Sequence, residues 1–277
     1  MKGRVVLITG ATSGIGKETA IGLARMGATL VLVGRDHTKA EQTASEIAER
    51  TGSRDVTMLL ADLSSMKEVR RLSEEVMKTI PRLHVLVNNA GGIFMRRQIT
   101  ADGYELTFAL NHLSPFLLTN LLLDLLKKNA PARIVTVASM SHFVSRIDFE
   151  DLMGERRYNG FRAYNQSKLA NVLFTYELAR RLKGTGVTAN CLHPGPVASN
   201  FGRDQGFFGF LTRIGAPFLL SPKRGAKNSI YLSSSLEVEG ISGRYFYRLR
   251  PSRSSRTSYD EETAKQLWVK SEELTGI

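Results

Sequence analysis

Short apolar runs alternate with longer amphipathic stretches along almost the whole chain. Val5–Ile8, Leu30–Val33, Val56–Leu60, Leu83–Val87, Ile134–Val137, Val187–Leu192 and Arg244–Tyr247 read as strands. Several are rich in Val, Ile and Leu with little alternation, as expected of strands covered on both faces. Gly16–Met26, Lys39–Thr51, Lys67–Thr79, Pro115–Lys128, Ala163–Leu182, Pro222–Ser233 and Glu261–Leu274 read as helices. Ser65, before Met66-Lys67-Glu68, predicts an N-cap with Glu at the third helical position. Sustained strand–helix alternation predicts an α/β protein with a single doubly wound parallel sheet and helices on both faces. No tandem repeat or low-complexity linker marks a second domain, so residues 1–277 are expected to form one. Ligands of such sheets bind at the carboxyl ends of the strands, which is where chemistry is sought.

Composition narrows this picture only slightly. Hydrophobic residues make up 42% and charged residues 23%, an ordinary globular balance. The net charge of +12 favours anionic partners: nucleic acid, a membrane surface or a phosphorylated small molecule. The single cysteine, Cys191, excludes an intramolecular disulfide and fits a reducing compartment. No uninterrupted apolar run approaches the roughly 18 residues of a membrane span, so a cytoplasmic location is expected.

The first strand runs into Thr9-Gly10-Ala11-Thr12-Ser13-Gly14-Ile15-Gly16, and a helix follows. Glycines at such a turn let the backbone approach a ligand, and the helix N-terminus offers free N–H groups to a pyrophosphate. The spacing is neither Gly-x-Gly-x-x-Gly nor a P-loop. The second strand ends Gly34-Arg35-Asp36. An acidic residue at that tip would accept the ribose 2′-OH of NAD, whereas an arginine suits the 2′-phosphate of NADP. Arg35, with Lys17 as a second positive charge, favours NADP(H). Asp36 keeps NAD(H) open as a ribose ligand, and both residues also read as solvated loop charges. Asp62 and Leu63 close the third strand, where Asp62 would accept from an adenine amino group or cap the next helix. Asn88, Asn89, Ala90 and Gly91 close the fourth, either against a nucleotide ribose or as a tight turn.

The fifth strand ends at Ser139, with Ser141 as its rival. Tyr164 and Lys168 stand at i and i+4 on one face of the next helix. A neighbouring ammonium lowers a phenol's pKa, so Lys168 would poise Tyr164 as an acid/base and Ser139 would bind a substrate oxygen. This set, in this order, resembles the short-chain dehydrogenase/reductase family over essentially the whole chain. The resemblance implies a Rossmann-like fold and hydride transfer between a nicotinamide and a carbonyl or alcohol. It also implies Asn111 as a fourth catalytic member, whose backbone holds a water linking Lys168 to solvent. Pro194, Gly195, Val197 and Ser199 would lie beside the nicotinamide, Ser199 replacing the family's frequent Thr. The 25 residues from Ser139 to Tyr164 exceed the usual spacing of about a dozen. That spacing, with Lys168-Leu169-Ala170-Asn171, His193-Pro194-Gly195 and Leu267-Trp268, looks like the retinol dehydrogenase-like subgroup. Its members act on retinoids and other apolar carbonyls or alcohols. Its membrane-bound members carry an N-terminal apolar anchor, and no such run precedes Val5.

Residues 200–221, with Phe207, Phe208 and Phe210, suit an apolar substrate lid. A packed core helix and a membrane-touching patch with Arg203, Arg213 and Lys223 are the competing readings. His112, His142 and His193 have no metal-ligand spacing, and no metal is expected. The alternative function is a catalytically silent nucleotide sensor of the same fold. A nucleic-acid binder is disfavoured, because the basic residues are scattered and Arg248–Arg256 reads as a solvated loop. The expected partners are a small apolar substrate, peripheral membrane contact at most, and a further copy of the chain in a dimer or tetramer.

Overall fold

Neighbouring side chains of a strand leave on opposite faces, so a strand of consecutive apolar residues needs cover on both. In the first strand Leu7 joins one apolar cluster, with Leu86, Phe116 and Leu173. Val6 and Ile8 join a second cluster across the sheet, with Ile21, Leu30 and Leu232. The computed structural model describes residues 1–197 and 220–277. Its strands are β1 (Val5–Thr9), β2 (Thr29–Gly34), β3 (Val56–Leu60), β4 (Val85–Asn88), β5 (Ala132–Val137), β6 (Val187–Leu192), β7 (Arg244–Tyr247) and β8 (Arg250–Ser252). They form one sheet in the order β3-β2-β1-β4-β5-β6-β7-β8. The strand order reverses direction between β1 and β4, which opens a crevice beyond their carboxyl ends.

The helices are α1 (Gly14–Arg25), α2 (His37–Thr51), α3 (Met66–Thr79), α4 (Leu106–Phe108), α5 (Ser114–Lys128), α6 (Gly160–Arg181), α7 (Pro222–Ser234) and α8 (Glu261–Thr275). α3, α5, α6 and α8 supply residues to the first cluster, and α1, α2 and α7 to the second. Trp268 of α8 fits edge-on to Phe116 and stacks on Phe174, with the Arg181 guanidinium over the indole, 4.1 Å from its centroid. These contacts fasten α8 onto α6.

Two expectations are corrected and one helix is lengthened. The sheet is parallel only through β7, because β8 returns antiparallel within the basic stretch expected to be a loop. Arg248 and Leu249 make that return with φ of +52° and +63°. Two left-handed residues form a tight hairpin turn, but the pair lacks the Asn-Gly or Asp-Gly signature that would announce it. Ser65 does precede α3 in an extended conformation, yet its side chain makes no capping bond. The acceptor comes instead from Asp102, whose Oδ2 takes the Met66 N–H at 2.8 Å. Finally, Leu106–Lys128 is one continuous helical stretch of 23 residues, with a mean hydropathy of 1.3 over its most apolar window. Asn111, His112, Ser114 and Thr119 interrupt its apolar run, which hid it from a count of consecutive apolar residues. That stretch is long and apolar enough to cross a membrane, but 72% of the window is buried inside this fold, as in a core helix.

Asp102→Ala should therefore destabilise the protein by about 1 kcal/mol in urea unfolding, the typical worth of an N-cap. Ser65→Ala should cost less than about half of that. The reverse ranking would restore Ser65 as the cap.

Candidate active site

The glycine turn is shaped by close packing at the crevice. Gly10 and Gly14 have φ of +62° and +55°, which favours residues without a Cβ. A Cβ on Gly16 would come within 2.3 Å of the Gly10 carbonyl oxygen and 2.5 Å of Asn89 Nδ2. The turn is held against the end of β4. Asn89 Nδ2 donates to the carbonyls of Thr9 and Gly10, and Thr9 Oγ1 accepts the backbone N–H groups of Asn89 and Ala90. Ser13 is the N-cap of α1 and its side chain makes no capping bond. The first turn of α1 thus presents its N–H groups without a side-chain acceptor, next to Thr12, Gly14 and Ile15. This cradle fits a pyrophosphate.

At the β2 tip, a Cβ on Gly34 would come within 2.5 Å of Thr12 Cγ2, so the turn excludes a side chain there. Arg35 is exposed and makes no hydrogen bond or ion pair among the described residues. Two rival charges are already engaged. Lys17 Nζ lies 2.6 Å from Glu46 Oε2, and Asp36 caps α2 by accepting the Lys39 N–H. Capping holds the Asp36 carboxyl below its ordinary pKa. Asp62 is exposed and accepts from the backbone and hydroxyl of Ser64, while the Leu63 side chain is in the core. The Asn88 side chain also points away from the crevice, donating to Thr119 Oγ1 at 2.9 Å. For Leu63 and Asn88, only the backbone is placed to meet a ligand.

Asn111 occupies a π-helical turn, Ala109–Leu113, between α4 and α5. The widened turn aims its amide at Gly92, accepting its N–H at 2.8 Å and donating to its carbonyl at 2.9 Å. Asn111 Nδ2 also donates to Ser167 Oγ, which donates in turn to the Tyr164 carbonyl. Gly91 is pressed between Asn111 and Lys168: a Cβ there would lie 2.8 Å from Asn111 Oδ1 and 3.5 Å from Lys168 Nζ. Lys168 is 4% exposed and donates from Nζ to the Val137 carbonyl at 3.1 Å. Its Nζ lies 5.6 Å from the centroid of the Tyr164 ring. Ser139 stands close enough to Tyr164 for its hydroxyl to oppose the rise of the phenol's pKa. Ser141 stands one step back, accepting at its Oγ from the Ser139 hydroxyl at 3.2 Å. Asn111, Ser139, Tyr164 and Lys168 are thus gathered at the carboxyl ends of β4 and β5.

The electrostatics differ from the simple expectation for a Tyr/Lys pair. Burial pushes the Tyr164 phenol up to about 12, opposed by the Ser139 hydroxyl. Burial also pushes Lys168 down to about 8. Each group is enclosed enough to disfavour its own charge.

Pro194, Gly195 and Val197 close the crevice from the β6 side. Gly195 has φ of +95°, and Val197 bridges to Leu220. A Cβ on Gly225 of α7 would meet both Val197 and Ile15, so this segment and the glycine turn face the same helix. Ser199 and residues 200–219 of the expected lid lie outside the described residues. The sequence assigns no site role to Thr9, Asn89 or Ser167, although Thr9 opens the glycine turn and Asn89 belongs to the Asn-Asn-Ala-Gly tetrad.

A family model described as short chain dehydrogenase matches residues 4–206. The chain is similar to retinol dehydrogenase 12 of Mus musculus, 45% identical over 275 residues, covering 99% of this chain and 87% of the relative. Among solved structures, it is similar to an uncharacterized protein from Mycobacterium Paratuberculosis, with a TM-score of 0.79 and 36% identity, covering 99% and 94% of the two chains. It is also similar to the Pseudomonas aeruginosa RhlG/NADP active-site complex, with a TM-score of 0.72 and 26% identity, covering 93% and 97%.

A buried lysine makes a testable thermodynamic signature. Lys168 falls from an ordinary 10.5 to about 8 in the fold, so between those values the unfolded chain binds more protons. Its contribution to stability therefore rises with pH from about 8 to about 10.5 and is least favourable below 8. Urea unfolding should show Lys168→Met more stable than the parent at pH ~7, by on the order of 1–3 kcal/mol. That advantage should shrink by pH ~10. An advantage that does not change with pH would contradict the burial of a charged amine.

Proposed function

The chain belongs to the short-chain dehydrogenase family, in its retinol dehydrogenase-like branch, and on that premise we propose that it is an NADP(H)-dependent oxidoreductase of apolar carbonyls and alcohols. The observation that carries the reading is the meeting of Ser139, Tyr164 and Lys168 at the end of β5, with Gly91 beside Lys168 and the glycine turn across the same crevice.

The cofactor would lie along the crevice, its pyrophosphate on Thr12–Gly16 and its nicotinamide end near Gly91, Lys168 and Pro194–Val197. When bound, it supplies or accepts the hydride. In reduction, Tyr164 holds its proton at Oη until the substrate oxygen gains negative charge, and then gives it up. A phenol kept neutral by burial is in the right state to act as that acid. The Ser139 hydroxyl donates to the same oxygen, stabilising the charge as it develops. Lys168 is held by Val137 within reach of the phenol and favours the phenolate left behind. Asn111 acts through geometry, clamping Gly92 and Ser167 so that the β4 loop and α6 keep their separation. Oxidation uses the same residues, with Tyr164 as the base.

Arg35 supports NADP over NAD. It is an exposed cation at the β2 tip with no ion pair among the described residues, and the nearby carboxylate of Asp36 is committed to Lys39. An apolar substrate is supported by the names of the relatives and by the rim of the site. Met140, Phe143 and Val144, exposed just beyond Ser139, and Phe161, one turn before Tyr164, expose large apolar surface there.

Tyr164→Phe should lower kcat by about 10²–10⁴-fold in NADPH-dependent reduction of an apolar aldehyde, with NADPH binding retained. Turnover unchanged in that variant would remove Tyr164 from the chemistry. Arg35→Ala should raise KM for NADPH about tenfold or more and leave KM for NADH nearly unchanged, because only the former loses a charge-assisted contact. An equal effect on both cofactors would contradict the 2′-phosphate role.

A further inference from the structure

We propose that His142 is a positioning residue for Ser139, clamping the Ser139 carbonyl and tying this strand end to the C-terminal segment at Ser255. The proposal rests on the reading of Ser139 as the residue that binds the substrate oxygen. Ser139 is the N-cap of a 3₁₀ turn, Met140–Val144, which carries His142 inward to complete burial. His142 Nε2 lies 3.0 Å from the backbone nitrogen of Ser255, which is a donor only. Nε2 is therefore the acceptor, and the neutral ring carries its proton on Nδ1. Nδ1 lies 2.5 Å from the Ser139 carbonyl oxygen, which is an acceptor only. Both partners are backbone groups whose roles cannot be exchanged, so one tautomer satisfies both. The rings of Phe143 and Tyr245, with centroids at 4.2 Å and 4.8 Å, flank the imidazole. Burial holds its pKa below the ordinary value, which keeps it neutral.

The link has a mechanical consequence. Ser254 Oγ pairs with the Tyr176 hydroxyl at 2.7 Å and accepts from Ser258 Oγ at 2.7 Å. Tyr176 is on α6, three turns beyond Tyr164. A chain of hydrogen bonds results, running from α6 through Tyr176, Ser254-Ser255 and His142 to Ser139. Ser139 is thus referred to the helix of Tyr164 by a route separate from the 25-residue connection between them. The imidazole fixes the Ser139–Met140 peptide plane, from which the 3₁₀ turn begins that donates the Ser141 N–H to Ser139 Oγ at 3.2 Å. This matters because a misplacement of about 1 Å at a reacting group costs on the order of 10²-fold in rate.

Two conservative variants separate the halves of the link. An asparagine amide places its nitrogen near Nδ1, and a glutamine amide reaches the position of Nε2. His142→Asn keeps the donor to Ser139 and loses the acceptor for Ser255; His142→Gln does the reverse. Each is assayed for NADPH-dependent reduction of an apolar aldehyde and for thermal unfolding, beside Ser139→Ala. His142→Gln should lose roughly tenfold or more in kcat with KM for NADPH within about twofold of the parent. His142→Asn should keep kcat within about threefold, while its Tm falls by about 2–6 °C because the Ser255 N–H is left unpaired. A parental kcat in His142→Gln, or equal losses in both variants, overturns the proposal. If Ser139→Ala itself keeps the parental kcat, the reading of Ser139 has failed and the proposal falls with it. Activity lost in Ser139→Ala but kept in His142→Gln removes His142 alone.

Discussion

Lys168 is the constraint to which the rest of the site answers. An ammonium that is nearly inaccessible to water is costly, and it donates to a backbone carbonyl at the end of β5. A fold selected for stability alone would place an apolar side chain there. The neighbours are arranged around this charge: Gly91 leaves room for it, Asn111 holds the loop that Gly91 belongs to, and the Tyr164 ring lies beside it. The enclosure that depresses Lys168 also keeps Tyr164 protonated. An acid ready to give up a proton and a cation ready to stabilise its anion are thus made by the same burial.

The sheet places these groups by topology. β1 and β4 are neighbours where the strand order reverses, so the glycine turn after β1 and the Asn88–Gly92 loop after β4 must share one crevice. Thr9 and Asn89 join them by four hydrogen bonds. α6 then lies along β5 and β6, which brings Tyr164 and Lys168 to the end of β5, where Ser139 stands. Most of the net charge of +12 has no part in this. Lys17 is tied to Glu46, and Arg50 to Glu18 and Glu46, in a network that joins α1 to α2. Arg35 stands apart from these pairs.

Local patterns made much of this readable beforehand. Val5–Ile8 and Ile134–Val137 are strands because their apolar runs need cover on both sides, and the glycine turn is recognisable because it lies between a strand and a helix. Tyr164 and Lys168 share a helix face by spacing alone. What sequence did not show depends on residues far apart in the chain. Asp102 caps a helix 36 positions away, and Ser255 meets His142 across 113. The hairpin at Arg248 and Leu249 uses left-handed residues that carry no glycine or asparagine signal. The upward shift of Tyr164 is hidden for a related reason: spacing reveals the cation, but only the fold reveals how deeply both groups are enclosed.

The central claim is that this crevice delivers hydride from NADPH to an apolar carbonyl. The direct measurement is isotope transfer. The protein is incubated with NADPH carrying deuterium at nicotinamide C4, on each face in turn, and a long-chain apolar aldehyde. Mass spectrometry of the product should show deuterium on the former carbonyl carbon with one of the two labelled cofactors, and none with the other. No labelled alcohol from either cofactor, with NADPH bound and left unoxidised, would contradict the account.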